Sequence, residues 1–207
     1  MNADSFLDAV ETAKQTELDR LGSSKRLVAV TGADLSPDTV LERAAASEAA
    51  AASAFADLAD ASEGDAAETF ETLAETERGH YETVTTELGE DVAAEEGAVH
   101  EFLREQADVV SRSGAAVGRG VVADRTLAQF VGFFVNDADE ARADLFRDLR
   151  GDTRRDTDRA LELLESHCES EDDWTRAETA ATGAIQVAYD EYVDALGVLG
   201  VDAKSVC

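Results

Sequence analysis

Residues 41–58 of this 207-residue chain read LERAAASEAAAASAFADL and predict a long α-helix. Leu41, Phe55 and Leu58 recur at helical spacing with alanines between them, so they lie on one face of an amphipathic helix. Glu48 is on the same apolar face, seven residues from both Leu41 and Phe55. The sequence therefore predicts a helix that directs a carboxylate into its own core, where an unpaired charge is costly.

The next helix, predicted over residues 65–88, has the same feature. Glu77 lies seven residues from both Phe70 and Val84 on the apolar stripe, and His80 is one turn further along. Because glutamate is abundant in this chain, a Glu-x-x-His motif arises easily by chance, and a lone core-facing histidine is more often structural. The glutamate on the apolar stripe of the preceding helix makes the joint pattern a stronger indication of a metal site than the motif alone, since a bound ion would remove the cost of burying carboxylates.

The remaining sequence predicts an all-α protein. Pro37 is the only proline, which permits long helices, and alternation of β-branched residues is almost absent. Glycine-rich residues 89–124 are predicted to form a long crossover that contains a short helix near residues 99–110. Helices are predicted over residues 5–21, 37–61, 65–88, 125–149, 153–169 and 174–199.

Four of these helices form two hairpins on either side of the crossover, which is the arrangement of a ferritin-like four-helix bundle. The bundle is predicted to span residues 36–170, with the crossover at about 89–124. Residues 1–35 supply an N-terminal helix and connector, and residues 171–207 supply a C-terminal helix that packs on the bundle.

The two predicted hairpins are similar in sequence. Residues 48–58, EAAAASAFADL, align without gaps on residues 139–149, DEARADLFRDL, so that Asp139 corresponds to Glu48. Each segment precedes a second helix that carries a histidine, which is His167 in the second half. Asp139 and His167 are therefore candidates for a second pair of metal ligands.

The chain resembles the rubrerythrins of the ferritin-like superfamily. Rubrerythrins carry, twice, a helix with an inward glutamate and an aromatic residue seven positions later, followed by a helix with Glu-x-x-His. Glu48, Phe55 and the sequence ERGH at residues 77–80 match the first copy. The resemblance implies a di-iron carboxylate site within the bundle and reactions with peroxide, dioxygen or Fe(II). The ligands that it implies here are Glu48, Glu77, His80, Asp139 and His167.

The second half departs from the rubrerythrin pattern. Asp139 stands where a glutamate is expected, and Leu164 stands where the second Glu-x-x-His would have its glutamate. The four-cysteine rubredoxin-like module is also missing, because the chain has only Cys168 and Cys207. The sequence leaves open whether the site holds two ions, one ion or none, and any redox activity is expected to need an external electron donor.

The charge composition is typical of a halophilic, cytoplasmic protein. The chain has 46 acidic and 18 basic residues, a formal net charge of −28, and molar salt would screen the resulting repulsion. The same charge argues against nucleic acid as a partner, because binding to phosphates needs clustered Lys and Arg. No apolar run reaches the about 20 residues of a membrane span, and two cysteines fit reduced thiols in a cytoplasm.

Two hypotheses about function follow. The first is a metal-binding oxidoreductase of the peroxidase or ferroxidase type with iron, or else manganese, because carboxylates and imidazole suit these ions. The second is a non-catalytic ferritin-like bundle that acts in binding, assembly or regulation, which Leu164 at a ligand position favours. No residue is assigned a catalytic role. On fold analogy alone, a homo-oligomer, in the simplest case a dimer, is expected.

Overall fold

Nine α-helices and no β-strand make up the regular structure of residues 1–203, which are the residues that the computed structural model describes. This confirms the predicted all-α class. The helix predicted over residues 5–21 is divided at Lys14 into two. The helices are α1 (Ala3–Ala13), α2 (Gln15–Leu21), α3 (Lys25–Thr31), α4 (Pro37–Asp60), α5 (Gly64–Leu88), α6 (Ala98–Arg104), α7 (Val109–Asn136), α8 (Glu140–His167) and α9 (Glu171–Val198).

Four of the five long helices, all except α5, begin at a side-chain cap. The Ser36 hydroxyl accepts a hydrogen bond from the Thr39 backbone N–H, and Pro37 occupies the first helical position of α4, as the sequence predicts. The Asp108 side chain caps α7, and the Asp139 side chain caps α8. Each cap satisfies a backbone donor that would otherwise lack a partner at the start of the helix.

Four long helices pair as two hairpins. Residues 61–63 join α4 to α5, and residues 137–139 join α7 to α8, so that the helices of each pair run antiparallel and pack on one another. The two hairpins meet where α5 contacts α8 and where α4 contacts α7. The helix α9 packs along α7, and the short N-terminal helices pack on α9.

The crossover between the hairpins is shorter than the sequence predicts. It covers residues 89–108 and contains α6, and α7 begins before the cluster of glycines rather than after it. Gly114 and Gly118 lie within α7 and face α9. A Cβ atom on either glycine would come within 3.0 Å of backbone atoms of Ala177 or Ala181. These glycines allow two helices to approach closely, so their presence in the sequence indicates tight packing here and not a loop.

The second hairpin turns at residues 137–139, whereas the sequence predicts a break near Gly151. Ala138 adopts a left-handed conformation with φ of 60°, and Asp139 then caps the next helix. Gly151 lies inside α8, which continues without interruption. The predicted helix boundaries at residues 125–153 are therefore wrong, because the turn is made by residues without glycine or proline.

Two apolar clusters fill the core, and a polar layer lies between them along α4 and α5. One cluster includes Phe55, Leu58, Phe70 and Leu73. The other includes Leu41, Val84, Phe134 and Phe146. Glu48 on α4, and Glu77 and His80 on α5, occupy the interval between the two clusters and are buried. The helix faces predicted from the apolar stripes are thus the faces that point inward.

Within residues 1–203, no helix combines the length and the apolar character needed to cross a membrane. Cys168 is a free, partly buried thiol, and burial raises its pKa to about 11. Cys207 lies outside the described residues.

Candidate metal centre

The polar layer contains one compact group of potential ligands, Glu48, Glu77 and His80, which we call the Glu–Glu–His cluster. The three side chains are buried, with exposed fractions of 5%, 1% and 4%. Each can supply one ligand atom such that all three atoms lie within 4.8 Å of one another. This group could therefore hold a metal ion.

The atoms that face one another in the cluster lack hydrogen-bond partners. His80 Nδ1 lies 3.6 Å from Glu48 Oε2 and 3.6 Å from Glu77 Oε2. Among residues 1–203, neither ring nitrogen of His80 nor Glu77 Oε2 has a hydrogen-bond partner. Such separations are too long for hydrogen bonds. They are close to the separation of roughly 3 to 3.6 Å between two ligand atoms that each lie about 2.1 Å from one ion.

Arg119, on α7, adds a buried positive charge to the polar layer. Its exposed fraction is 6%. The guanidinium forms an ion pair and a hydrogen bond with Glu77 through Nη1, while Nη2 lies 3.9 Å from Glu48 Oε2. The same group lies over the Phe55 ring, 5.6 Å from its centroid. A cation of the protein itself therefore already neutralises part of the carboxylate charge.

Sequence reasoning missed Arg119, although a signal was present. Residues 114–123, GAAVGRGVVA, contain one charged residue among small and apolar ones. The same criterion, a charge on an apolar face, identified Glu48. The glycines, however, predict a loop for this stretch, and an arginine is ordinary in a loop.

Helix α8 contributes two aspartates beside the cluster. Asp152 Oδ2 lies 3.5 Å from His80 Nε2, and Asp152 also pairs with Arg155. Asp156 is buried and pairs with Arg159, and burial raises the pKa of its carboxyl. Neither aspartate was predicted, because α8 is so rich in charge here that no single residue stands out in the sequence.

The electrostatics of the cluster assign a different pKa to each carboxyl. Burial, together with repulsion from Glu77, raises the pKa of Glu48 to about 7. Burial alone would raise the pKa of Glu77, but the charge of Arg119, together with the nearby Glu48 and His80 side chains, outweighs that effect and holds the pKa below its usual range. Burial likewise opposes charge on His80, yet the two carboxylates raise its pKa to about 9. Protons and Arg119 thus compensate the buried negative charge without an ion.

The structure does not bring Asp139 and His167 to the cluster. Asp139 caps α8 and pairs with Arg142, 3.5 Å away. His167 is the last residue of α8, where its Nε2 lies 3.1 Å from Asp65 Oδ1. Each is about 20 Å along α8 from Asp152, at about 1.5 Å per residue. The aligned repeat fails because it places the hairpin turn about a dozen residues too late in the chain.

Leu164, which the repeat would place at a ligand position, is an ordinary core residue. It is fully buried in the cluster that contains Phe55 and Phe70. Leu164 is therefore not evidence that a metal ligand has been lost from the site. The residues of the second hairpin that lie beside the Glu–Glu–His cluster are Arg119 on α7 and the two aspartates of α8.

A cavity of about 280 Å³ adjoins the cluster on the side of α6 and α9. Glu48 and Arg119 of the polar layer are among its lining residues, and so are Arg26 and Tyr192. His100 also lines this cavity and is buried. Its Nδ1 accepts a hydrogen bond from the Gly97 backbone N–H at 3.3 Å, which requires the neutral ring.

His100 should make the folded protein sensitive to mild acid. Burial, and then the charge of Arg119, lowers the pKa of His100 to about 3. The unfolded chain, with a histidine pKa of about 6.5, takes up a proton that the folded protein does not, so stability falls as pH drops below about 6.5. At pH 5 the expected loss is about 2 kcal/mol. Glu48 and His80, whose pKa values are raised, stabilise the folded protein over the same pH range, so the effect of His100 is measured as a difference between variants. From pH 7 to pH 5, the free energy of urea unfolding should change by about 2 kcal/mol less favourably in the native chain than in His100→Gln. An equal change in both would contradict the prediction.

Comparisons with protein families, with characterised proteins and with solved structures find no match to this chain. Its function must therefore be inferred from the chemistry of its own residues.

Proposed function

We propose that this protein is a ferritin-like, rubrerythrin-related metal-binding protein that holds one divalent ion between Glu48, Glu77 and His80. The observation that carries the proposal is that His80 Nδ1 and Glu77 Oε2 are buried without hydrogen-bond partners among residues 1–203. His80 Nδ1 lies 3.6 Å from both Glu77 Oε2 and Glu48 Oε2, which is about the spacing of two ligand atoms around one ion. A bound ion would give these atoms the partner that the protein does not provide. The hairpin pairs and their inward carboxylates support the ferritin-like assignment.

A single ion fits the charge of the site better than two. Glu48 and Glu77 can supply two negative charges, which one divalent ion balances. Arg119 is already paired with Glu77 and lies 3.9 Å from Glu48, so a second ion would be placed beside a fixed positive charge. The residues that the resemblance implies for a second ion, Asp139 and His167, are also elsewhere on α8.

Two carboxylates and one imidazole suit iron or manganese. Three protein ligands leave coordination positions for water or for a small oxidant. This supports redox activity toward peroxide or dioxygen, or oxidation of Fe(II) supplied as substrate. The chain lacks a rubredoxin-like four-cysteine module, so electrons would come from an external donor.

Asp152 should position His80 for metal binding. A metal-ligating histidine usually donates its other ring N–H to a carboxylate, and Asp152 Oδ2 is the group next to His80 Nε2, at 3.5 Å. We expect Asp152→Asn to weaken metal affinity by roughly 10- to 100-fold without unfolding the protein. Competition titration with a fluorescent chelator measures this affinity. An unchanged affinity would remove Asp152 from the site.

One observation favours the alternative of a non-catalytic bundle that acts in binding, assembly or regulation. The Arg119–Glu77 ion pair and the raised pKa of His80, about 9, compensate the buried carboxylates without any metal. In that case the polar layer would serve only to fix how the helices pack. The two functions differ in whether the folded protein takes up an ion stoichiometrically.

Anaerobic loading with Fe(II) or Mn(II), followed by gel filtration and elemental analysis, tests the proposal. We expect about one ion per chain in the native protein and less than a tenth of that in Glu77→Gln, which keeps the side-chain shape and loses the charge. Glu68→Gln is the matched control, since Glu68 is an exposed residue of the same helix. Addition of peroxide to the iron-loaded protein should then change its near-ultraviolet absorbance.

Equal metal content in the native protein and in Glu77→Gln would show that the ligands are elsewhere. No stoichiometric metal in the native protein, with intact helical circular dichroism, would favour the non-catalytic alternative.

A further inference from the structure

The cavity of about 280 Å³ beside the Glu–Glu–His cluster contains polar groups that the metal site does not use. Its walls combine apolar side chains of α3 and α7 with charged side chains. At about 30 Å³ for each water-sized group, it has room for roughly nine or ten non-hydrogen atoms. The apolar lining includes Val30, Val122, Leu127 and Phe130.

Arg26, on α3, is the cation of this cavity without an ion pair. Its Nε donates to the Thr126 hydroxyl at 3.1 Å, and within residues 1–203 its guanidinium has no carboxylate within 4.0 Å. Burial lowers the pKa of Arg26, and Glu191 and Tyr192 only partly offset that effect. The other arginines of the lining are paired: Arg43 with Glu95, and Arg119 with Glu77. Arg26 therefore still has donors to offer a ligand.

Tyr192, on α9, provides a second unused group in the same region. Its side chain is fully buried, and its hydroxyl has no hydrogen-bond partner among the described residues. A buried hydroxyl without a partner is costly, and a ligand that accepts its proton removes that cost. Tyr189, its neighbour on α9, differs because its hydroxyl accepts a hydrogen bond from Arg20.

We propose that the cavity binds a small monocarboxylate with an apolar body, whose carboxylate is held by Arg26 and the Tyr192 hydroxyl and whose body lies against the apolar lining. A guanidinium donates two parallel hydrogen bonds to a carboxylate, and the hydroxyl adds a third. A phosphate dianion fits less well, because one unpaired arginine cannot balance it and Glu48 and Glu191 also line the cavity. Nothing in this binding requires the metal, so it stands independently of the proposed function.

Isothermal titration of the metal-free protein with octanoate, which has ten non-hydrogen atoms, is the test. We expect one octanoate per chain, and affinity at least about tenfold weaker in Arg26→Gln and in Tyr192→Phe, since each removes a charge-assisted hydrogen bond. Tyr189→Phe is the matched control and should bind like the native protein. Acetate, which lacks the apolar body, 1-octanol, which lacks the charge, and inorganic phosphate should each bind at least about tenfold more weakly than octanoate.

Circular dichroism should establish that the variants remain helical. Absence of saturable octanoate binding, or equal affinity in the native protein and Arg26→Gln, would overturn the proposal. Octanol or phosphate binding as tightly as octanoate would overturn the assignment of a carboxylate. Because the titration uses metal-free protein, its outcome is separate from that of metal loading.

Discussion

Gly118→Ala is expected to destabilise the protein by about 2 to 3 kcal/mol, although alanine is the better helix former. Gly118 lies in the middle of α7, and a Cβ atom there would come within 3.0 Å of Ala181 Cα and closer still to the Ala181 carbonyl oxygen. Those are backbone atoms of α9, so no side-chain rotation can relieve the overlap. The two helices must move apart, and the packing along their whole contact is loosened.

Gly132→Ala is the matched control in the same helix. A Cβ atom at Gly132 would meet nothing within 4 Å. Alanine there should stabilise the helix by roughly 0.5 to 1 kcal/mol, because the unfolded chain loses conformational freedom. Thermal unfolding of the two variants should therefore shift in opposite directions. A stabilised Gly118→Ala would mean that α7 and α9 are further apart than the structure places them.

The contact of α7 with α9 also predicts how two substitutions combine. Gly114 faces Ala177 as Gly118 faces Ala181, one helical turn apart. Once the first alanine has separated the helices, the second meets less resistance. The double variant Gly114→Ala/Gly118→Ala should lose less stability than the two single losses added together, which a double-mutant cycle of urea unfolding measures.

The sequence predicts the first hairpin well because local signals agree there. Ser36 and Pro37 mark the start of α4, and the apolar stripe around Glu48 identifies its inner face, so both are read from neighbouring residues. The second hairpin is predicted badly because its decisive contacts are between helices. Gly114 and Gly118 of α7 allow close packing against α9, which is visible only once the two helices are placed together. The turn at Ala138 has no glycine or proline to mark it in the sequence.

The difference between local signals and contacts between helices also explains which residues of the candidate site the sequence predicts. Glu48, Glu77 and His80 are each conspicuous on their own helix, and the structure brings them together. Asp139 and His167 follow from an alignment of alanine-rich and charged segments, whose similarity reflects helix composition and not equivalent positions. Their actual environments, a helix cap and a helix end, are common places for such residues.

Arg119→Met is expected to lower the free energy of unfolding of the metal-free protein by about 3 to 5 kcal/mol. The substitution keeps most of the side-chain volume but removes the cation that pairs with Glu77. Among residues 1–203, the only close positive group left beside the buried Glu77 carboxylate would then be a protonated His80, 3.6 Å away. Leaving one partner of a buried ion pair in place costs far more than the pair contributes, because the remaining charge is neither solvated nor neutralised.

A divalent ion should restore much of this loss, because it supplies the charge that Arg119 provided. We therefore expect Mn(II) to raise the melting temperature of Arg119→Met by more than that of the native protein, in which part of the carboxylate charge is already compensated. Arg119→Lys retains the charge and should show an intermediate loss and an intermediate response to Mn(II). The exposed Arg154→Gln should show neither effect.

If Mn(II) stabilises Arg119→Met no more than the native protein, Arg119 and the ion do not compensate the same carboxylates. If Arg119→Met is destabilised and Mn(II) stabilises it strongly, the two buried glutamates need a cation, and Arg119 and the metal ion neutralise the same two carboxylates.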